Sequence, residues 1–234
     1  MREAKGIYGN EMGRDSKMAE EGRKAQEASE RRRYAEESLS GYLDDLAAKL
    51  PAPGGGSAAA LLGAIGAALV SMVANFTIGK DAYKEVEEYI RKILEESEAL
   101  RDRLIQLVDE DVSAYEKVSK AFKLPKGPER EREVENALRD ASKVPSEVLE
   151  KSFKVLELAS ELAEKGNPNL ITDVGIAALS ALAAMKSAAL NIEINLKWMK
   201  DEEFSRKMRD SYQPLLERGA KMEEETLRKV EEKL

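Results

Sequence analysis

Asp111 is the residue on which chemistry is most readily built. It falls on the stripe Val86, Ile90, Ile93, Ser97, Leu100, Leu104, Leu107, Asp111, Tyr115, Val118, Phe122, in which every step is three or four residues. A carboxylate among core positions is costly unless it is paired, hydrogen-bonded or kept protonated. A carboxyl group pushed toward neutral pH in this way can take a proton and return it. The unreactive alternative is a buried carboxylate paired with Lys or Arg. Asp109 lies off the stripe and ranks second. The chain has no His and no Cys. This excludes imidazole catalysis, thiolate chemistry and His-ligated metal, and makes a catalytic zinc improbable. Proton transfer is left to Asp, Glu, Lys or Tyr. Asn75, Asp173, Asn191 and Asn195 are further polar residues at positions that otherwise read as apolar. Asp173 reads first as an ordinary helix cap. Asn191 and Asn195, one turn apart on one face, could simply hydrogen-bond across a helix pair. Lys80 could meet an acidic ligand, although an exposed lysine is unremarkable.

These residues need elements to carry them. Pro51-Ala52-Pro53-Gly54-Gly55-Gly56-Ser57 cannot continue a helix, and its glycines permit positive φ. Ser57 reads as the N-cap of the uncharged run Ala58 to Phe76. A helix apolar all round is buried on every side or sits in lipid. The run is long enough for a bilayer, but Ala and Gly dominate it and its flanks read as soluble helices, which favours a buried core helix. Its N-terminus offers N–H groups to a negatively charged or carbonyl-bearing ligand. The stripe Gly63, Ala67, Ser71 and Ala74 or Asn75 would let another helix approach closely. Upstream, Ser40 reads as the cap of a short helix with Tyr42, Leu43, Leu46 and Leu50 inward. Downstream, Gly79 reads as a C-terminal cap and Asp81 as the cap of a helix to Phe122. A helix interrupted at Pro145 runs to Lys165. Thr172 or Asp173 caps a second small-residue helix to Met199, and Asp201 starts the last one.

The chain has 234 residues, 35% of them charged and 5% aromatic, with a net charge of -7. No run alternates with period two. The expected fold is all-α: one bundle of six or seven helices built around two buried small-residue helices, 57–78 and 173–199, that also suit a two-fold dimer. The organisation expected is a charged extension over 1–37 and a helical domain over 38–234. The acidic balance argues against a general nucleic-acid partner. The lack of Cys is compatible with the cytoplasm, and the charged first 33 residues do not read as a secretory signal. The charge run Glu129 to Glu135 reads as a solvated helix face.

The segments PAPGGGSAAALLGAIGAALVSMVANFT, VDEDVSAYEKV, KVPSEV, GNPNLITDV and NIEINL occur in this order and spacing. Together they resemble the cyclodeaminase/cyclohydrolase domain of the formiminotransferase-cyclodeaminase family, over about residues 38–232, in its stand-alone form. The resemblance implies an all-helical homodimer with a folate cleft lined by the glycine loop and inner helices. It puts the acid–base role on Asp111, and puts Thr172-Asp173 and the Asn191 to Leu196 segment near the pterin. Gly54, Gly55, Gly56, Ser57, Asn75, Lys80, Asp173, Asn191 and Asn195 are the expected substrate contacts. Val112 stands where bifunctional relatives often carry Ala, a mild departure. The implied reaction is hydrolysis of 5,10-methenyltetrahydrofolate to 10-formyltetrahydrofolate, with no cofactor beyond the folate and no metal. The alternatives are ammonia-releasing cyclodeamination and a folate-binding dimer without turnover.

Overall fold

The computed structural model describes residues 33–234. Six α-helices occur among them, with no strand: α1 (Leu39–Ala47), α2 (Gly55–Thr77), α3 (Glu87–Phe122), α4 (Pro128–Lys165), α5 (Ile171–Trp198) and α6 (Glu202–Glu231). Three short 3-10 turns, Tyr34–Glu36, Asp81–Tyr83 and Pro168–Leu170, connect them. The expected extension over 1–37 lies outside the described residues up to position 32.

The uncharged α2 is the centre, as its composition requires. It packs against α3, α4 and α5. Val70, Val73, Ala60, Ala67 and Ala74 on it are fully or almost fully buried. Its glycines set the packing distance. A Cβ on Gly66 would stand 3.1 Å from the Ala177 carbonyl oxygen of α5, and one on Gly63 would stand 2.7 Å from Ser152 Oγ of α4. Ser71 lies 2.8 Å from the hydroxyl of Ser97 on α3. The stripe was expected to admit one helix; Gly63 and Ser71 of it meet α4 and α3, and Gly66, outside the stripe, admits α5 as well. Both α2 and α5 are long and apolar enough to cross a membrane, but 61% and 56% of their most apolar windows are buried inside this bundle.

The structure differs from expectation at several helix ends. Ser38, not Ser40, caps α1 by accepting from the Gly41 N–H at 3.1 Å. Helix α2 begins two residues before Ser57, with Gly54 at the cap position. Asp81 opens a 3-10 turn, and α3 starts at Glu87. Neither Thr172 nor Asp173 caps α5; Leu170 holds that position and Asp173 lies in the first turn. Asn167 organises that corner instead. Its N–H donates to Thr77 Oγ1 at 3.0 Å and its side chain donates to the Phe76 carbonyl at 3.1 Å, tying the end of α2 to the start of α5. Gly79, at φ +77°, terminates α2 as expected, and Asp201 caps α6 by accepting from the Phe204 N–H.

Pro145 does not interrupt its helix: α4 runs unbroken through it, and the ring is buried. Proline costs one intrahelical hydrogen bond, and tertiary bonds offset that loss. Two residues on, Glu147 accepts from Arg103 of α3 at 2.7 and 2.8 Å. Arg103 also reaches Glu110 at 2.5 and 3.0 Å. This partly buried clamp joins α3 to α4.

The close α2–α5 approach predicts the effect of one methyl group. Gly66→Ala should be destabilised by about 1–3 kcal/mol, because its Cβ meets backbone that cannot rotate away. Denaturant unfolding measures this; a stability equal to the parent would show that the helices can separate freely.

Candidate active site

The helix start that was displaced by two residues defines the site. With Gly54 at the cap, Gly55, Gly56 and Ser57 are the first three helical residues of α2, whose N–H groups have no partner within the helix. One of them is satisfied from α3: the Ser57 N–H donates to Asp111 Oδ2 at 2.9 Å. Asp111 thus acts as a cap supplied by another helix, facing the positive end of the α2 dipole.

Gly56 makes this contact possible by what it lacks. A Cβ there would fall 2.1 Å from Asp111 Oδ1 and 2.5 Å from its carboxyl carbon. The loop's glycines were expected to supply positive φ, but Gly79 and Gly127 hold the positive φ values among the described residues. Close approach, not backbone handedness, requires Gly56. Pro53, after a cis peptide, and Ala52 are buried and hold the loop against the bundle.

Asp111 opens onto a cavity of about 280 Å³. The glycine loop forms one wall and Val112, Tyr115 and Val118 of α3 another. Ala141 of α4, and Asn191, Ile194 and Asn195 of α5, complete it. Asp111 is the one charged side chain in that lining. Burial pushes its carboxyl up to about 6, against the opposing pull of the Ser57 N–H. The Asn191 amide donates to the Ser187 carbonyl at 2.9 Å, which holds its side chain beside Gly55 of the loop. A carboxylate that titrates near neutrality, in an apolar cleft with amide groups opposite, can shuttle a proton and favours a cationic ligand.

A sequence model of the formiminotransferase-cyclodeaminase family matches residues 38–214. The chain belongs to that family. It is 41% identical over 203 residues to a methenyltetrahydrofolate cyclohydrolase of Methylorubrum extorquens, covering 85% of this chain and 98% of that one. Mouse formimidoyltransferase-cyclodeaminase is 34% identical over 185 residues. That match takes in 77% of this chain but 34% of the mouse protein. The crystal structure of formiminotetrahydrofolate cyclodeaminase from Thermotoga maritima superposes with a TM-score of 0.75 at 35% identity, over 85% of this chain and 96% of that one.

Of the site residues read from the sequence, the structure brings together Asp111, Gly54, Gly55, Gly56, Ser57, Asn191 and Asn195. Ser57 contributes its N–H, while its buried hydroxyl turns away to Tyr42, 2.8 Å distant. The structure does not bring Asn75, Lys80 and Asp173 to this cavity. Asn75 is exposed in the last turn of α2, about 30 Å from Gly55 at 1.5 Å per residue, and Lys80 is exposed just past that end. Asp173 lies about 27 Å along α5 from Asn191. They share one end of the bundle, and the cavity lies at the other. Three tyrosines near the site were not singled out. Tyr115 reads as core by its spacing yet is 46% exposed and lines the cavity. Tyr34 and Tyr42 are buried behind the loop. Tyr42's place on the inner face of α1 was legible; its hydroxyl partner was not.

The raised Asp111 carboxyl has a stability consequence of definite sign. Its folded value of about 6 lies above the ordinary 3.8. The native state therefore holds this proton more tightly than the unfolded chain. That contribution is complete below pH 3.8 and is lost as pH rises through 6. At pH 8 the ionised group costs the fold at most about 3 kcal/mol. Asp111→Asn should accordingly raise the melting temperature more at pH 8 than at pH 5. An equal shift at both pH values would show a carboxylate that ionises without cost.

Proposed function

We propose that this protein hydrolyses 5,10-methenyltetrahydrofolate to 10-formyltetrahydrofolate, with Asp111 as its proton-transfer group. The observation that carries this reading is a single half-buried carboxylate, raised toward neutrality, alone among uncharged groups in the cavity. The substrate is a cation whose charge is spread over N5, N10 and the carbon between them. Ionised Asp111 favours that cation and takes a proton as water attacks the carbon. A tetrahedral carbinol forms. The C–N5 bond then breaks and Asp111 returns its proton to N5. The second proton of the water leaves to solvent as the formyl C=O forms, so atoms and charge balance. In this reading Asn191 and Asn195 and the N–H groups of Gly55 and Gly56 hold the pterin and the developing oxygen. No step requires a metal.

The Thermotoga maritima likeness favours a second reading, cyclodeamination, in which N10 attacks a formimino carbon and ammonia leaves. The same carboxyl group would serve there. A binding protein without turnover has less support, since a half-buried carboxylate with no cationic partner among the described residues has no use in a scaffold.

The assembly we infer is a homodimer. The two central helices leave an apolar stripe uncovered: Ile65 and Phe76 on α2, and Ile176, Leu179, Leu190, Ile194 and Trp198 on α5. Leu190 is 73% exposed, and Ile194 both belongs to this face and lines the cavity. A patch of this extent marks an interface. A second copy supplies the complementary surface through two-fold symmetry and would finish the cavity wall beside Ile194.

Loss of methenyltetrahydrofolate absorbance, set against ammonia release from formiminotetrahydrofolate, tests the reaction. We expect kcat/KM for the methenyl substrate to rise with pH through about 6 and then level, since the base must be ionised. Asp111→Asn should lower kcat at least a hundredfold with helicity retained; full activity would remove Asp111 from the mechanism. Leu179→Glu should shift the mass measured by light scattering from dimer to monomer. A dimer that survives this substitution, or a monomeric parent, would move the interface elsewhere.

A further inference from the structure

Asp109 and Asp111 stand two residues apart on α3, and the structure treats them differently. Asp111 opens to the cavity. Asp109 Oδ1 accepts from the backbone N–H of Tyr34 at 2.7 Å. Tyr34 starts the 3-10 turn Tyr34–Glu36, which precedes the residues matched by the family model. The Tyr34 ring is 5% exposed and meets the Tyr42 ring edge-on, with centroids 5.8 Å apart and planes at 81°. Its hydroxyl has two acceptors for its one proton, Asp45 Oδ2 at 3.2 Å and the Ala52 carbonyl oxygen of the loop at 3.4 Å. Tyr42 is 4% exposed and bonds to the Ser57 hydroxyl at 2.8 Å. Ser57 in turn donates its N–H to Asp111.

These contacts close a ring. From Asp111 it passes through Ser57 on α2, Tyr42 on α1 and Tyr34 in the leading turn, then returns to α3 at Asp109. We propose that this ring is the positioning machinery of the site: Asp109, Tyr34 and Tyr42 fix the α2 N-terminus against Asp111, and the turn Tyr34–Glu36 is part of the active site. The proposal rests on Asp111 being the proton-transfer group. The geometry supports it in two ways. Every link within the ring joins buried or partly buried groups. The links also tie the leading turn, α1 and the N-terminus of α2 to α3 within three residues of one another, at Asp109 and Asp111. Burial and the nearby Asp111 charge hold the Tyr42 phenol above its ordinary range, so at working pH it is a neutral hydrogen-bonding group. Around Asp111, the titratable neighbours are Tyr42 on α1 and Asp109, Glu110 and Tyr115 on α3. Ala141 of α4 and the uncharged Asn191 and Asn195 of α5 line the remaining sides.

The test separates positioning from catalysis at Asp109. Asp109→Asn keeps an oxygen that can accept from Tyr34, whereas Asp109→Ala does not. We expect Asp109→Asn to retain kcat within about twofold and Asp109→Ala to lose roughly tenfold with KM little changed, about the effect of one hydrogen bond. Tyr42→Phe should also lose roughly tenfold in kcat. It should shift the acid limb of the rate profile to higher pH, because a slackened Ser57 N–H lowers the Asp111 carboxyl less. Asp109→Asn as inactive as Asp111→Asn would make Asp109 catalytic and overturn the ring, as would full activity in both Asp109→Ala and Tyr42→Phe. Carbon-13 titration of aspartate carboxyls, with the Asp111 resonance assigned by Asp111→Asn, reads the same upward shift without any substrate. The ring therefore stands or falls separately from the proposed reaction: an unmoved Asp111 titration in folded Tyr42→Phe overturns it even in an enzyme of different specificity.

Discussion

The hydrogen bond from the Ser57 N–H to Asp111 is the constraint to which the rest of the structure answers. It places a carboxylate that lines the cavity on the positive end of a buried helix. Two effects oppose each other there. The N–H and the helix end favour the ionised form, and burial disfavours it; burial wins, leaving the group near 6 instead of fully charged or fully neutral. A pairing lysine or arginine would have pulled the group far below neutrality and ended its use as a base. The arginine nearest in sequence on the inner side, Arg103, is instead engaged by Glu147 and Glu110. The cavity lining contains no cation.

Holding that bond requires α2 and α3 to meet at one end closely enough for a carboxylate to touch backbone. Gly56 meets this locally, since any side chain there would occupy the space of the Asp111 carboxyl group. The rest of α2 meets it globally. Gly63 and Gly66 bring α4 and α5 to near-backbone contact, and the Ser71–Ser97 pair holds α3 alongside. The small-residue stripe and the Asp111-contacting end of α2 are thus one device. A bulkier central helix would push α3 outward and leave Asp111 reaching for a donor it could not touch.

What was legible in the sequence follows from which physics is local. The long periodic helices, the uncharged core helix and the polar break in the Asp111 stripe are readable because spacing and charge are properties of the chain itself. Helix ends were less so: Ser57 looked like a cap by composition, but the cap of α2 comes from a residue 54 positions away. Pro145 looked like a break because the clamp that supports it, Arg103 with Glu147, is likewise long-range. Asn75, Lys80 and Asp173 were grouped with the site on residue type, yet helix length alone carries them to the opposite end. Tyr34 and Tyr42 were invisible as site residues, because a phenol on an inward face looks the same whether its hydroxyl supports a catalyst or a loop.

The value near 6 suits the proton traffic of either reaction in this family. Both pass through a tetrahedral carbon between N5 and N10. In hydrolysis the attacking water gives up a proton and the departing N5 takes one. In cyclodeamination the attacking N10–H gives up a proton and the departing formimino nitrogen takes one. A carboxylate largely ionised at pH 7 can take the first proton and, once protonated, return the second. The two reactions therefore differ at the attacking atom, not at the base. Hydrolysis needs room for a water beside the carbon, whereas cyclodeamination needs N10 held against it, so the shape of the cavity around Asp111 and not the carboxyl group itself must choose between them.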